Sequence, residues 1–121
     1  MDAISRWREW CAYAESAAER SSLLKMSERD IQACFGAELS FGTGGVRSRM
    51  GLGTARLNRY TIARMAAGYG DYLRHTACAP SVVIAYDSRI GSAEYARCAA
   101  DVLNRQGVHI YLFQEPVPTP E

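Results

Sequence analysis

Residues 82–113 constrain the fold of this chain more than any other stretch. Val82-Val83-Ile84-Ala85-Tyr86, introduced by Pro80, is a nearly continuous apolar run rich in β-branched residues. Such a run suits a strand covered on both faces, as in a parallel sheet. Ser92 to Gln106 then carries Tyr95, Ala99, Val102 and Leu103 at helical spacing, with Gly107 placed to end the helix. Val108 to Phe113 is the next strand. Strand, helix and strand in roughly 30 residues form a βαβ unit, with a parallel pair and a right-handed crossover. The fold class is α/β.

The sequence before this unit is organised differently. Ile4, Trp7, Cys11, Ala14 and Ala18 recur at helical spacing, so one amphipathic helix is expected from residue 4 to about 20, broken by Ser21-Ser22. A second short helix starts at Ser27, where Ser27 and Asp30 make a capping pattern, and ends at Gly36. Residues 1–37 thus read as an N-terminal helical extension and 38–121 as the α/β part. Five glycines between positions 42 and 53 exclude a helix interior there and indicate a short strand, a tight turn and a ribbon-like return. Asn58 is placed to cap a helix from Arg59 to about Arg74. Its apolar stripe is Ile62, Met65, Ala66, Tyr69, Tyr72 and Leu73, with close packing expected around Gly68 and Gly70.

A chain of 121 residues allows one small domain, or one domain with a helical extension. It has no uncharged apolar run long enough to span a bilayer, and its N-terminus lacks the apolar core of a secretory signal. The four cysteines form no C-x-x-C pair and there are two histidines, so free buried thiols are expected rather than a structural zinc site. These features point to a soluble, cytoplasmic protein. No Asp or Glu lies between Leu39 and Gly70, whereas Arg47, Arg49, Arg56, Arg59 and Arg64 do. A one-sign segment focuses a positive potential that attracts anions. For Arg59 and Arg64 an ordinary solvated helix face is the simpler reading.

Two stretches carry residues suited to phosphate chemistry. In Phe41-Gly42-Thr43-Gly44-Gly45-Val46-Arg47 the glycines free backbone amides to face an anion, Thr43 adds a hydroxyl donor and Arg47 a planar fork. No Gly-Lys-Ser/Thr follows, so this is not a Walker A loop, and a glycine-rich stretch taken alone is more often just a turn. Asp87-Ser88-Arg89 lies at the carboxyl end of a parallel strand, where open α/β sheets place their ligands. There Asp87 either orients an arginine or caps the next helix, and Arg89 reaches an anion. His109 has no nucleophile placed beside it, and His75 suits a helix C-terminus.

Phe41–Arg47, Met50–Asn58 with Tyr60-Thr61-Ile62, Val83–Arg89 and the terminal Pro118-Thr119-Pro120-Glu121 together resemble the opening of the first domain of α-D-phosphohexomutases, in the right order. The resemblance covers about residues 38 to 121 and is nearest the phosphoglucomutase/phosphomannomutase branch. It implies an incomplete first domain with a mixed or parallel sheet, in a phosphotransferase that moves phosphate between sugar C6 and C1. Such enzymes act through a phosphoserine and a bisphosphorylated sugar, which also serves as activator, with Mg²⁺. Thr43, Gly44 and Arg47 match the stretch lying against the phosphoserine loop in the family. Asp87 and Arg89 match a segment near the same cleft, with Ile90 departing from the polar residue usual there. The phosphoserine loop, the metal loop and the sugar-discriminating loop have no counterpart in these residues. The resemblance therefore places no catalytic residue and no metal ligand in this chain, which is expected to be inactive as a mutase on its own.

The implied partners are a phosphosugar and the remaining domains of a parent enzyme, with neither nucleic acid nor membrane. A sheet with too few strands to be finished leaves an unpaired edge, which also predicts self-association or strand exchange. Two other readings compete: a free-standing, non-catalytic phosphosugar-binding or interaction module, and a phosphopentomutase or sugar-bisphosphate synthase branch of the family. A nucleic-acid binder using the acid-free arginine segment is the weakest, since no binding motif accompanies it.

Overall fold

A computed structural model of the chain describes residues 2–39 and 48–116. The chain divides into two compact units, Met1–Thr61 and Ile62–Glu121.

The first unit contains α1 (Ala3–Tyr13), α2 (Ala17–Leu24) and α3 (Glu28–Phe35). The single helix expected over residues 4 to 20 is therefore two. Ser16 is extended and accepts the Glu19 amide at 3.1 Å, so it satisfies an orphan donor and starts a new helix. Ser21 and Ser22, expected to break a helix, lie inside α2, where the Ser22 hydroxyl donates back to the Ala18 carbonyl. The capping box at Ser27 is present: the Asp30 amide donates to Ser27 Oγ at 3.2 Å and the Ser27 amide to Asp30 Oδ2 at 3.3 Å.

Ala3, Leu23, Ile31 and Phe35 form the buried core of this unit, with Trp7, Trp10 and Leu52 packed against it. Trp7 Nε1 donates to the Leu23 carbonyl at 2.8 Å, so a large apolar ring enters the core without an orphaned N–H. Trp10 meets Phe35 and Tyr60 edge-on, with centroids 5.3 and 5.2 Å away. Residues 48–61 thus pack with the N-terminal helices. The packing boundary falls after Thr61, downstream of the 37/38 division drawn from sequence texture. In place of the ribbon-like return there is a single parallel bridge, Met50 to Leu57. The strand and turn expected just before it lie almost wholly outside the described residues.

Helix α4 (Arg59–Thr76) has its first turn in the first unit and the rest in the second, followed by β1 (Ser81–Ile84), α5 (Ser92–Arg105) and β2 (His109–Leu112). The strands pair in parallel, from Ser81 opposite His109 to Ile84 opposite Leu112. The α/β architecture and the βαβ unit are as expected. Ala66, Leu103 and Val108 are buried, and Val82, Ile84, Ile110, Ala99, Val102 and Leu73 pack around them. Left-handed glycines bound α5: Gly91 (φ 85°) precedes it and Gly107 (φ 84°) follows.

Three expectations fail. The strand residues are not covered on both faces, since the register partners Val83 and Tyr111 are 64% and 57% exposed. Within this unit α4 and α5 both pack on the face carrying Val82, Ile84 and Ile110. Tyr69 and Tyr72, assigned to the α4 core stripe, are exposed, and Ala66 and Leu73 make the contact. The cysteines are free, but Cys78 is exposed and the others half-buried, so none is the fully buried thiol expected.

Candidate functional site

Thr43, Gly44 and Arg47 lie outside the described residues, but the backbone on either side of them is described. Before the stretch, the Leu39 amide donates to the Thr54 carbonyl at 3.0 Å, and Thr54 Oγ1 donates to the Ala37 carbonyl at 2.7 Å. After it, Ser48 Oγ donates to the Ala55 carbonyl at 2.6 Å and the Leu57 amide to the Arg49 carbonyl at 2.9 Å. Both stems are thus held by one short turn, residues 53–57. That turn rests on α3. The Ala55 amide donates to the Cys34 carbonyl at 2.9 Å, and a Cβ on Gly53 (φ +126°) would lie 2.4 Å from the same oxygen. No residue but glycine fits there.

In the second unit Asp87 and Arg89 are brought together just beyond the carboxyl end of β1. Asp87 Oδ1 accepts the Arg89 amide at 3.0 Å and the Ser92 hydroxyl at 2.7 Å, while Oδ2 accepts Arg89 Nε at 2.6 Å. Of the two alternatives read from sequence the first is seen: Asp87 orients the arginine, whereas α5 starts after Gly91 with no side-chain cap and Asp87 reaches only the Ser92 hydroxyl. The Asp87 side chain is 12% exposed and that of Arg89 81%. A largely desolvated carboxylate therefore aims a guanidinium that stands in solvent, bound through Nε, an arrangement suited to meeting an anion.

Beside this turn is a cavity of about 310 Å³ lined by Tyr86, Arg97, Leu112, Phe113 and Gln114. It sits where both parallel strands end, and the Tyr86 hydroxyl donates to the Gln114 carbonyl at 2.8 Å across it. Arg97 is the cation in its wall, and sequence reasoning missed it. Nothing beside it along the chain signalled this, because Arg97 lies in α5 and meets the strand ends only once β1 and β2 pair.

The description "Phosphoglucomutase/phosphomannomutase, alpha/beta/alpha domain I" fits residues 38–121 of this chain. The chain belongs to the phosphoglucomutase/phosphomannomutase family. It is 38% identical over 112 residues to a phosphoglucomutase of Staphylococcus haemolyticus, a match covering 93% of this chain and 20% of that protein. A phosphoglucomutase of Staphylococcus aureus is 35% identical over the same shares. The chain thus spans about a fifth of the length of the curated relatives it matches. No solved structure matches it. As a family member the chain supplies the domain I elements described above. The Asp87–Arg89 turn and the stems at Leu39 and Ser48 both fall within the matched residues.

Arg59, read from sequence as an ordinary solvated arginine, is engaged on three sides. It pairs with Glu15 at 2.5 Å and Glu19 at 2.6 Å, and its guanidinium carbon stands 4.5 Å from the Tyr60 ring centre. These contacts draw it out of any anion site. Among the described residues no three His, Cys, Asp or Glu side chains converge to hold a metal, and no helix is long and apolar enough to cross a membrane.

Proposed function

We propose that this chain is part of a phosphohexomutase, an intramolecular phosphotransferase interconverting sugar 1-phosphates and 6-phosphates through a phosphoserine and a bisphosphorylated intermediate. The family match over residues 38–121 carries this reading. The Asp87-oriented Arg89, at the carboxyl end of a parallel pair, supports it physically. Phosphoryl transfer asks its protein for positioning and charge stabilisation more than for covalent help. Thr43, Gly44 and Arg47 would supply donors to the phosphoryl group, and Arg89 would meet the sugar phosphate. Mg²⁺ belongs to the proposed parent activity. The described residues offer it no donor set, so no step is routed through it. A cytoplasmic location accords with the free thiols.

The test pairs binding with turnover. Glucose 1-phosphate and mannose 1-phosphate are titrated into the chain while the amide signals of Asp87–Gly91 are followed. A coupled assay with a bisphosphate primer is run in parallel. Saturable shifts without turnover are expected. Absence of shifts with both sugars overturns the reading, and turnover by the chain alone overturns its expected inactivity.

A further inference from the structure

Arg97 stands in the wall of the strand-end cavity with its charge unmet. Two other arginines of this unit are engaged, Arg89 by Asp87 and Arg74 by Asp71. Among the described residues Arg97 has neither a carboxylate nor a carbonyl as partner, although Glu94 and Asp101 stand one turn away on either side along α5. An unpaired arginine is ordinarily a solvated one. The cavity is what sets Arg97 apart. Its volume of about 310 Å³ falls at the lower end of the range that receives small molecules, about 300–1,000 Å³. It lies where both parallel strands finish, the position at which open α/β sheets take their ligands.

The other walls narrow the chemistry. Tyr86 and Gln114 each lie two residues beyond a strand, and the Tyr86 hydroxyl donates to the Gln114 carbonyl at 2.8 Å. That bond ties the two strand ends on either side of the cavity and leaves the phenol oxygen as an acceptor. The Gln114 side-chain amide, without a partner among the described residues, offers a donor and an acceptor. Leu112 and Phe113 supply an apolar side on which a ring can lie. A free cation, an amide, an acceptor and an apolar wall together suit a small organic anion that carries hydroxyls.

We propose that this cavity is a second ligand site of the chain, taking a sugar phosphate with its phosphate on Arg97 and its ring against Phe113. Arg97 carries most of the affinity, because a charge-assisted fork to phosphate is roughly twice as strong as a bond between neutral groups. The site needs neither Asp87 nor Arg89, so it does not depend on the reading given to that turn.

The test is a titration of the 121-residue chain with glucose 6-phosphate, followed at the amides of Phe113 and Gln114, with glucose and inorganic phosphate as separate probes. Saturable shifts are expected with the ester, and binding about tenfold weaker or worse with either fragment. Arg97→Gln keeps much of the side chain and removes the charge, and is expected to weaken binding about tenfold or more. Arg97→Lys should recover part of that loss. Tyr86→Phe, which lacks the bond to Gln114, is expected to weaken binding less than Arg97→Gln. Arg105→Gln removes the same charge from the same helix outside the lining of the cavity, and should bind as the wild type does.

No response at Phe113 and Gln114, wild-type affinity in Arg97→Gln, or an equal loss in Arg105→Gln overturns the site. Inorganic phosphate binding as tightly as the ester leaves a bare anion contact, and glucose binding as tightly takes the charge out of recognition; either overturns the proposed ligand. The amides of Asp87–Gly91 report the neighbouring turn in the same spectra. Their response is expected to be unmoved by Arg97→Gln, and an equal loss there merges the two places into one and overturns a second site.

Discussion

The side-chain amide of Gln106 occupies the space that a Cβ on Gly70 would need: that atom would lie 1.8 Å from Gln106 Oε1. Gln106 Nε2 meanwhile donates to the Ala67 carbonyl at 3.0 Å and to Asp71 at 3.3 Å, tying the end of α5 to the middle of α4. Glycine inside a helix ordinarily costs about 0.5–1 kcal/mol relative to alanine. Gly68, with open space around it, follows that rule, so Gly68→Ala is expected to stabilise by that amount. Gly70→Ala expels Gln106 and is expected to destabilise by about 1–2 kcal/mol. Adding Gln106→Ala should recover much of that loss. Urea titrations of the two single variants and the double variant check all three, and a stabilising Gly70→Ala would refute the contact.

The Arg59 cluster predicts a pH response. Burial works to raise the Glu19 pKa, but hydrogen bonds from Arg59, Tyr60 and Ser16 outweigh it and hold the carboxyl below its ordinary value. A depressed folded pKa stabilises fully above the unfolded value, about 4.3 for Glu, and the effect is lost as pH falls through the folded one. Arg59→Met is therefore expected to cost up to about 1 kcal/mol at pH 7, since the pairs are half exposed. The difference from wild type should shrink below about pH 4 and in high salt. Thermal unfolding across pH measures it. A gap that persists at pH 3 would remove the carboxylates as its cause.

Asp87 and Arg89 should separate in their effects. Asp87→Ala removes acceptors for the Arg89 amide, Arg89 Nε and the Ser92 hydroxyl, and is expected to cost about 1–3 kcal/mol. Arg89→Ala removes a solvated side chain and should stay within about 0.5 kcal/mol. Both should weaken glucose 1-phosphate binding. Calorimetric unfolding and a binding titration on the same samples test the split. Unchanged binding in Arg89→Ala would reduce the turn to a structural element.

Val83 and Tyr111 share the exposed face of the sheet, and self-association through this region is expected. Tyr111→Lys should leave stability within about 0.5 kcal/mol while abolishing concentration-dependent mass in sedimentation equilibrium. A wild-type mass that stays monomeric at every concentration would rule the association out.

What could be read from sequence was what depends on neighbours along the chain. Ser27 with Asp30, Asn58 with Thr61 and the parallel βαβ unit follow from cap chemistry and period. The misreadings depended on what a residue meets in space. Tyr69 and Tyr72 fit an apolar stripe by spacing, yet α4 is covered along Ala66 and Leu73. Ser16 competed with Ser21-Ser22 as the helix break and prevailed because its oxygen reaches the Glu19 amide. In the candidate site, Asp87 and Arg89 were legible because a carboxylate and an arginine two residues apart can meet within a turn. Arg97 was not, since only the pairing of β1 with β2 brings α5 over the strand ends. The carbonyls of Gly51, Gly53 and Arg56, which accept from Asn58 Nδ2, escaped for the same reason: they converge only after the 51–56 turn closes.

Gly53 lies against the Cys34 carbonyl, which gives the N-terminal helices a part in the history of the family segment. The matched region begins at residue 38, but the floor beneath its first turn is α3. Recombination at the family boundary would deliver a turn with nothing under it. The helices and the glycine are therefore expected to be inherited as a block, and a grafted domain I should need residues from α3 onward to remain intact.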